Sequence, residues 1–171
     1  MKLKEQNKMR EIELDAVTLH CSTADQVKLE KAMKLLKLIS GAKPVKTLAK
    51  KRIPAWKIKP GLPIGCKVTI RKKKAYELLR TLFTGVANLK RKQFNPGFLS
   101  FGIKEYIEIP SIPYQRDIGI LGFDVIATLK RKGFRVSRRR RAKAKIPLRH
   151  KITKEETINF FKNNFNIKIL D

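Results

Sequence analysis

The chain has 171 residues, 42% of them hydrophobic, with 41 Lys and Arg against 14 Asp and Glu and a formal net charge of +27. That length holds one domain or at most two small ones, and the apolar fraction is too high for a chain disordered throughout. A globule with this charge excess repels itself, so an abundant polyanion is the expected partner. No run of about 18 apolar residues points to a membrane span.

The charged opening MKLKEQNKMR leads into no apolar stretch, so no signal peptide is expected. The stretch IELDAVTLH from Ile12 alternates like a strand, with Ile12, Leu14, Ala16 and Thr18 on one face and Val17 and Leu19 on the other. QVKLEKAMKLLKLI then reads as a helix. Thr23 with Gln26 makes a capping box, Asp25 suits the positive helix end, and Val27, Leu29, Met33, Leu36 and Ile39 supply the apolar side. Lys28, Lys31, Lys34 and Lys37 recur on the wetter side; Gly41 ends the helix and Pro44 prevents its resumption.

Pro54, Pro60, Pro63, Gly61 and Gly65 make much of the following stretch a loop. CKVTIR (66–71) is expected to be a strand with Val68 and Ile70 on one face. AYELLRTLFTGVANL (75–89) reads as a helix whose apolar side is Leu78, Leu79, Leu82 and Phe83. After the polar turn KRKQFNPGF, FLSFGIKEYIEI (98–109) reads as a strand with Phe101, Ile103, Ile107 and Ile109 on one side. GFDVIATLK (122–130) is apolar on both faces apart from Asp124 and Thr128, hence a central strand. GFRVS begins a further strand that runs into an arginine block, making 135–151 an ordered strand-to-loop element. Thr153 with Glu156 is a second capping box, opening a helix to about Asn164 with Ile158, Phe161 and Phe165 inward. Strands and helices mix without strict alternation. The expected class is α+β, a mainly antiparallel sheet with helices packed on one face, as a single domain over 1–171.

Catalysis finds no constellation. There is no phosphate-binding GxxxxGK[ST] loop and no GxGxxG, and no Ser or Cys has a base beside it in sequence. Asp124 is the one suggestive acid, and a structural salt bridge is its expected role. Cys21 and Cys66 belong to no CxxC pair, and His20 and His150 stand alone, so two reduced thiols, no metal and no cofactor are expected.

The basic segments are the better lead. Residues 43–74 carry 12 Lys or Arg and no acid, and nine of the 17 residues in RVSRRRRAKAKIPLRHK (135–151) are basic. Such clusters neutralise phosphates and release counterions, and Arg also holds phosphate bidentately. Trp56, set among Lys51, Arg52 and Lys57, has two readings: stacking on a base or ribose, or pinning its own loop.

Five segments carry a resemblance: GAKPVKTLAKKRI (41–53), KPGLPIGCKVTIR (59–71), FGIKEYIEIP (101–110), DIGILGFDVIATL (117–129) and GFRVSRRRRAKAKIPLRHKITKEE (133–156). Together they closely resemble large-subunit ribosomal protein number five, the universal family that binds 5S ribosomal RNA, and the C-terminal pattern resembles its archaeal branch. Many members carry a Gly-containing GxGE-like turn after the first strand; this chain reads HCSTADQ there, so a contact through that turn's backbone is not carried over.

The resemblance implies residence in the central protuberance of the large ribosomal subunit. It places 5S rRNA contacts at Lys43, Pro44, Lys46 and Thr47, with Lys28 and Lys31, and contact with P-site tRNA on the basic loop 51–64, through Lys51, Arg52, Trp56, Lys57 and Lys59. With the remaining basic clusters, the rRNA-binding set adds Lys50, Arg71, Arg138, Arg139, Arg140, Arg141, Lys143, Lys145, Arg149, His150 and Lys151, with 135–151 spanning 5S and large-subunit rRNA. Neighbouring central-protuberance proteins and a small-subunit head protein are further implied partners; a membrane is not. The rival readings are a DNA-coating basic protein and an RNA-processing enzyme.

Overall fold

A computed structural model describes residues 7–86 and 88–170. Residues 1–6 of the charged N-terminal stretch, and residue 87 within the helix expected over 75–89, lie outside these. The axis of the fold is β1 (Ile12–Ser22), which pairs antiparallel with β3 (Pro63–Ile70) on one side and β7 (Phe123–Arg131) on the other. With β2 (Val45–Leu48), β6 (Phe98–Ile103) and β5 (Phe94–Asn95), the six-stranded sheet has the order β2-β3-β1-β7-β6-β5, antiparallel throughout. Two short strands, β4 (Leu89–Lys90) and β8 (Ile169–Leu170), form a separate parallel pair. β7 is interior, as its apolar composition predicts, and the α+β reading holds.

A β-bulge corrects the alternation expected in β1. The register shifts between Leu14 and Ala16, so Leu14 pairs with Leu129 while Val17 and Leu19 pair with Ala127 and Val125. Leu14 therefore joins Val17 and Leu19 on the core face rather than Ala16 on the other. An extra residue in one strand reverses side-chain parity beyond it. The same bulge brings Asp15 into a run of four buried residues, 14–17.

Three helices cover the core face. In α1 (Gln26–Ser40) the N-cap is Asp25, whose carboxylate accepts from the Val27 N–H; Thr23 instead accepts from the Asp25 N–H, so the expected Thr23–Gln26 box does not form. Leu29, Ala32, Leu35 and Leu36 are buried, whereas Val27 in the first turn is 64% exposed. Gly41 closes the helix in the left-handed conformation at φ +63°, which an L side chain adopts at a cost. α2 (Lys73–Thr84) ends short of the expected Leu89, capped by Gly85, with Leu79 and Leu82 fully buried. Burying a Leu of this kind contributes roughly 1.5–3 kcal/mol.

The stretch after β6 departs from its strand reading. β6 ends at Ile103, and a 3-10 turn over Tyr106–Glu108 buries Tyr106 and leaves Ile107 exposed. The Tyr106 hydroxyl accepts from the Gln115 N–H at 3.0 Å, which fixes the turn. A second correction concerns residues 133–138: they form no strand but a single helical turn, α3 (Arg135–Arg138), followed by extended chain. Periodicity could not separate these states, because Phe134 and Val136 flank one turn as readily as one strand face. The last helix, α4 (Lys154–Phe165), begins with the expected Thr153–Glu156 capping box and buries Ile158 and Phe161.

Candidate nucleic-acid interface

Among the described residues, the helices leave the opposite sheet face uncovered. Thr18, His20 and Ser22 of β1, Lys67 and Thr69 of β3, Ser100 of β6, and Asp124, Ile126, Thr128 and Lys130 of β7 share it, and none is buried. Thr18 and Thr69 hydroxyls lie 3.3 Å apart across the strands. Sequence reasoning does not identify this face as a surface, and it leaves His20 as an isolated histidine. The signal that could find it is parity: in CKVTIR the polar Lys67 and Thr69 alternate with the buried Val68 and Ile70.

Strand direction distributes the basic segments. β3 and β7 both run antiparallel to β1, so residues 71–74 and 131–141 emerge at one end of the sheet, while loop 51–64 precedes β3 at the other. The basic loop 51–64 at one end, and the basic residues of 71–74 and 131–141 at the other, thus bracket the uncovered face.

Loop 51–64 is closed rather than free. Ile53 and Ile58 exchange backbone hydrogen bonds, the Ala49 N–H donates to Leu62 O at 2.8 Å, and the Gly61 N–H donates to Ala49 O at 2.9 Å. Its apolar pin is the buried Ile58; Trp56 sits on a 3-10 turn at 70% exposure, which removes the loop-anchor reading. Lys51, Arg52, Lys57 and Lys59 are exposed around it, and Lys57 takes a left-handed φ of +54° to turn the tip. On the neighbouring edge strand Lys46 is exposed and Thr47 half-buried; Lys43 and Lys50 flank it in solvent, and Pro44 is buried. On α1, Lys28 is exposed and Lys31 half-buried.

At the other end the buried carboxylate of Asp15 organises the cations. It pairs with Arg71 at 3.3 Å, Lys130 at 3.3 Å, and Arg138, which donates to Oδ2. Burial pushes the Asp15 pKa up, but Arg138 and Lys130 outweigh it and hold the carboxyl below its ordinary value. Arg71 and Arg138 therefore each serve an internal ion pair. His150 also turns inward: Nε2 lies 2.9 Å from Lys132 O and the ring packs edge-on against Phe134. Arg139 curls back, its Nε donating to Ala142 O at 2.8 Å. Arg140, Arg141, Lys143, Lys145, Arg149 and Lys151 are exposed and form no ion pair among the described residues. Behind them the buried Arg131 bonds Glu156 at 2.5 Å, tying the end of β7 to the start of α4.

Asp124 departs from expectation. It is exposed, and no cation lies within ion-pair distance of it among the described residues. The described residues contain no group of three or more His, Cys, Asp or Glu able to hold a metal, and no helix long and apolar enough to cross a membrane. Cys21 and Cys66 face each other across β1 and β3 as buried free thiols, and burial, then the neighbouring Cys21, pushes Cys66 up to about 11.

Residues 7–59 match the family model described as Ribosomal protein L5, and residues 63–160 match the model of the same ribosomal family's C-terminus. The chain is 44% identical to the large ribosomal subunit protein uL5 of Sulfolobus acidocaldarius, over 98% of this chain and 96% of that protein. It is 45% identical to the same protein of Sulfurisphaera tokodaii, over 96% of each, and 42% identical to that of Nanoarchaeum equitans, over 95% and 98%.

Proposed function

The chain belongs to the ribosomal protein L5 family, a non-enzymatic constituent of the large ribosomal subunit, and from that premise we propose that it binds 5S rRNA in the central protuberance. One observation carries this reading: an uncovered sheet face rich in hydroxyls and amines, bracketed at its two ends by the loop 51–64 and the arginine segment. A twisted sheet lined by Thr, Ser and Lys offers hydroxyl donors to ribose and phosphate oxygens. The basic ends anchor the backbone on either side, so folded RNA is selected by shape.

Roles divide along the sheet. Lys43, Lys46, Thr47 and Lys50 on and beside the edge strand, with Lys28 and Lys31, meet 5S rRNA. The exposed Arg139, Arg140, Arg141, Lys143, Lys145, Arg149 and Lys151 span 5S and large-subunit rRNA. Arg71 and Arg138 present their unpaired nitrogens to the same RNA while remaining clamped to Asp15. His150 contributes by holding the segment in place rather than by direct contact. Loop 51–64, with Trp56 presented at its tip, reaches the P-site tRNA, and the closed hydrogen bonding at its base limits the freedom given up on binding. Contacts with neighbouring central-protuberance proteins and a small-subunit head protein complete the reading.

The test is competitive binding by the purified chain at about 0.15 M salt, where screening suppresses weak nonspecific attraction. Labelled 5S rRNA is challenged with duplex DNA and with tRNA of similar length. Selective retention of 5S rRNA is expected; equal affinity for duplex DNA would identify a general nucleic-acid coat instead.

A further inference from the structure

Across the uncovered face, Lys67, His20, Asp124 and Gly102 occupy one cross-strand row, on β3, β1, β7 and β6. At the Asp124 end of that row lies a cleft of about 450 Å³, lined also by Ser22, Lys104 and Gly122. Other surface clefts reach similar volumes, so the lining and not the size sets this one apart. Gly102 keeps it open: a Cβ there would come within 3.3 Å of Asp124 Oδ1. The other strand acids, Glu13 and Asp15, are paired with cations, whereas Asp124 has none among the described residues.

A bare carboxylate on a face that meets RNA repels phosphate. It is tolerated there when it accepts hydrogen bonds from a base edge. The geometry points to a pocket that reads an unpaired guanine, with Asp124 as the acceptor; this rests on the RNA-binding reading above. Guanine alone presents two donors side by side, N1–H and the N2 amine, matching the two carboxylate oxygens. Adenine and cytosine set one amino group beside an acceptor nitrogen, and uracil sets its N–H between carbonyls, so each turns a lone pair toward the second carboxylate oxygen. His20, next in the row, donates to guanine O6, and Lys104 at the rim meets the adjoining phosphate. A base within a duplex has this edge occupied, so the pocket selects a guanine splayed from a loop or bulge.

The test uses the full chain and transcribed 5S rRNA. Asp124→Asn, which turns one acceptor into a donor, is expected to weaken binding about 5- to 100-fold with the salt slope unchanged. Gly102→Val, which fills the cleft without altering charge, should do the same, and both positions are exposed, so thermal stability is a control for folding. Transcripts with inosine replacing random guanosines remove the N2 amine. One position should weaken the wild-type chain and leave Asp124→Asn indifferent. Equal affinity of Asp124→Asn and wild type, or no inosine-sensitive position, overturns the pocket. So does a phenotype confined to capture of a neighbouring protein through its arginine, with RNA binding intact. If the wild-type chain itself does not bind 5S rRNA, the parent reading falls as well, and the two failures are told apart.

Discussion

Asp15→Asn removes one charge from the centre of the arginine end while keeping side-chain volume. The Asp15 side chain is 6% exposed, and its partners Arg71, Lys130 and Arg138 are 56%, 38% and 52% exposed. At 3.3 Å and an effective dielectric of about 20, each pair gains about 5 kcal/mol of gross attraction. Desolvating the carboxylate offsets several kcal/mol of that, and the half-exposed cations are screened and repel one another. The cations return to water when the charge is removed, so the loss falls below the ~3–5 kcal/mol of a fully buried pair and above the ~0.2–1 kcal/mol of a surface one, at about 2 kcal/mol. For a chain of this size that is a fall in Tm of about 4–8 °C. Thermal unfolding by circular dichroism at pH 7 measures it. Amide exchange should quicken in α3, which Arg138 anchors. In a double-mutant cycle, Arg138→Gln added to Asp15→Asn should cost less than Arg138→Gln alone. A Tm change below about 1 °C, or strict additivity, would refute the clamp.

Replacing Arg139, Arg140 and Arg141 together by Gln should lower the slope of log K against log salt for RNA binding by about 2–3, nearly one for each phosphate these arginines neutralise; an unchanged slope removes them from the interface. Trp56→Ala should leave Tm unchanged, since the ring is exposed, and weaken protection of P-site tRNA in reconstituted subunits by about 1–3 kcal/mol of stacking. A point change is the clean probe, because deleting the tip 55–62 also removes the buried Ile58. Acid should destabilise the fold through Asp15 and Glu156. Burial raises both, but Arg138 and Lys130 at Asp15, and the Thr153 N–H with Arg131 at Glu156, hold both below their ordinary values. Their contribution is complete above the unfolded carboxylate pKa and is lost as pH falls through the lower folded one. Acid titration of Asp15→Asn should therefore show a shallower loss of stability below about pH 4.

Composition and local pattern determined much of this protein. A net charge of +27 with 43–74 free of acids specified a polyanion partner, because charge acts without regard to fold. The α4 capping box and the Gly41 stop were legible because caps are local contacts spanning three or four residues. β7 declared itself central by its long apolar run, although only its Phe123, Val125, Ala127 and Leu129 side faces the core. Tertiary structure decided the rest. The β1 bulge, which has no composition of its own, moved Leu14 to the core and sank Asp15, and Asp15 then chose Arg71 and Arg138 from residues far apart in sequence. Whether Trp56 or Ile58 pins the loop depended on which of them the fold buries. The row of Lys67, His20, Asp124 and Gly102 exists only through strand register, since long-range pairing brings together residues whose chain separation hides them from any local window.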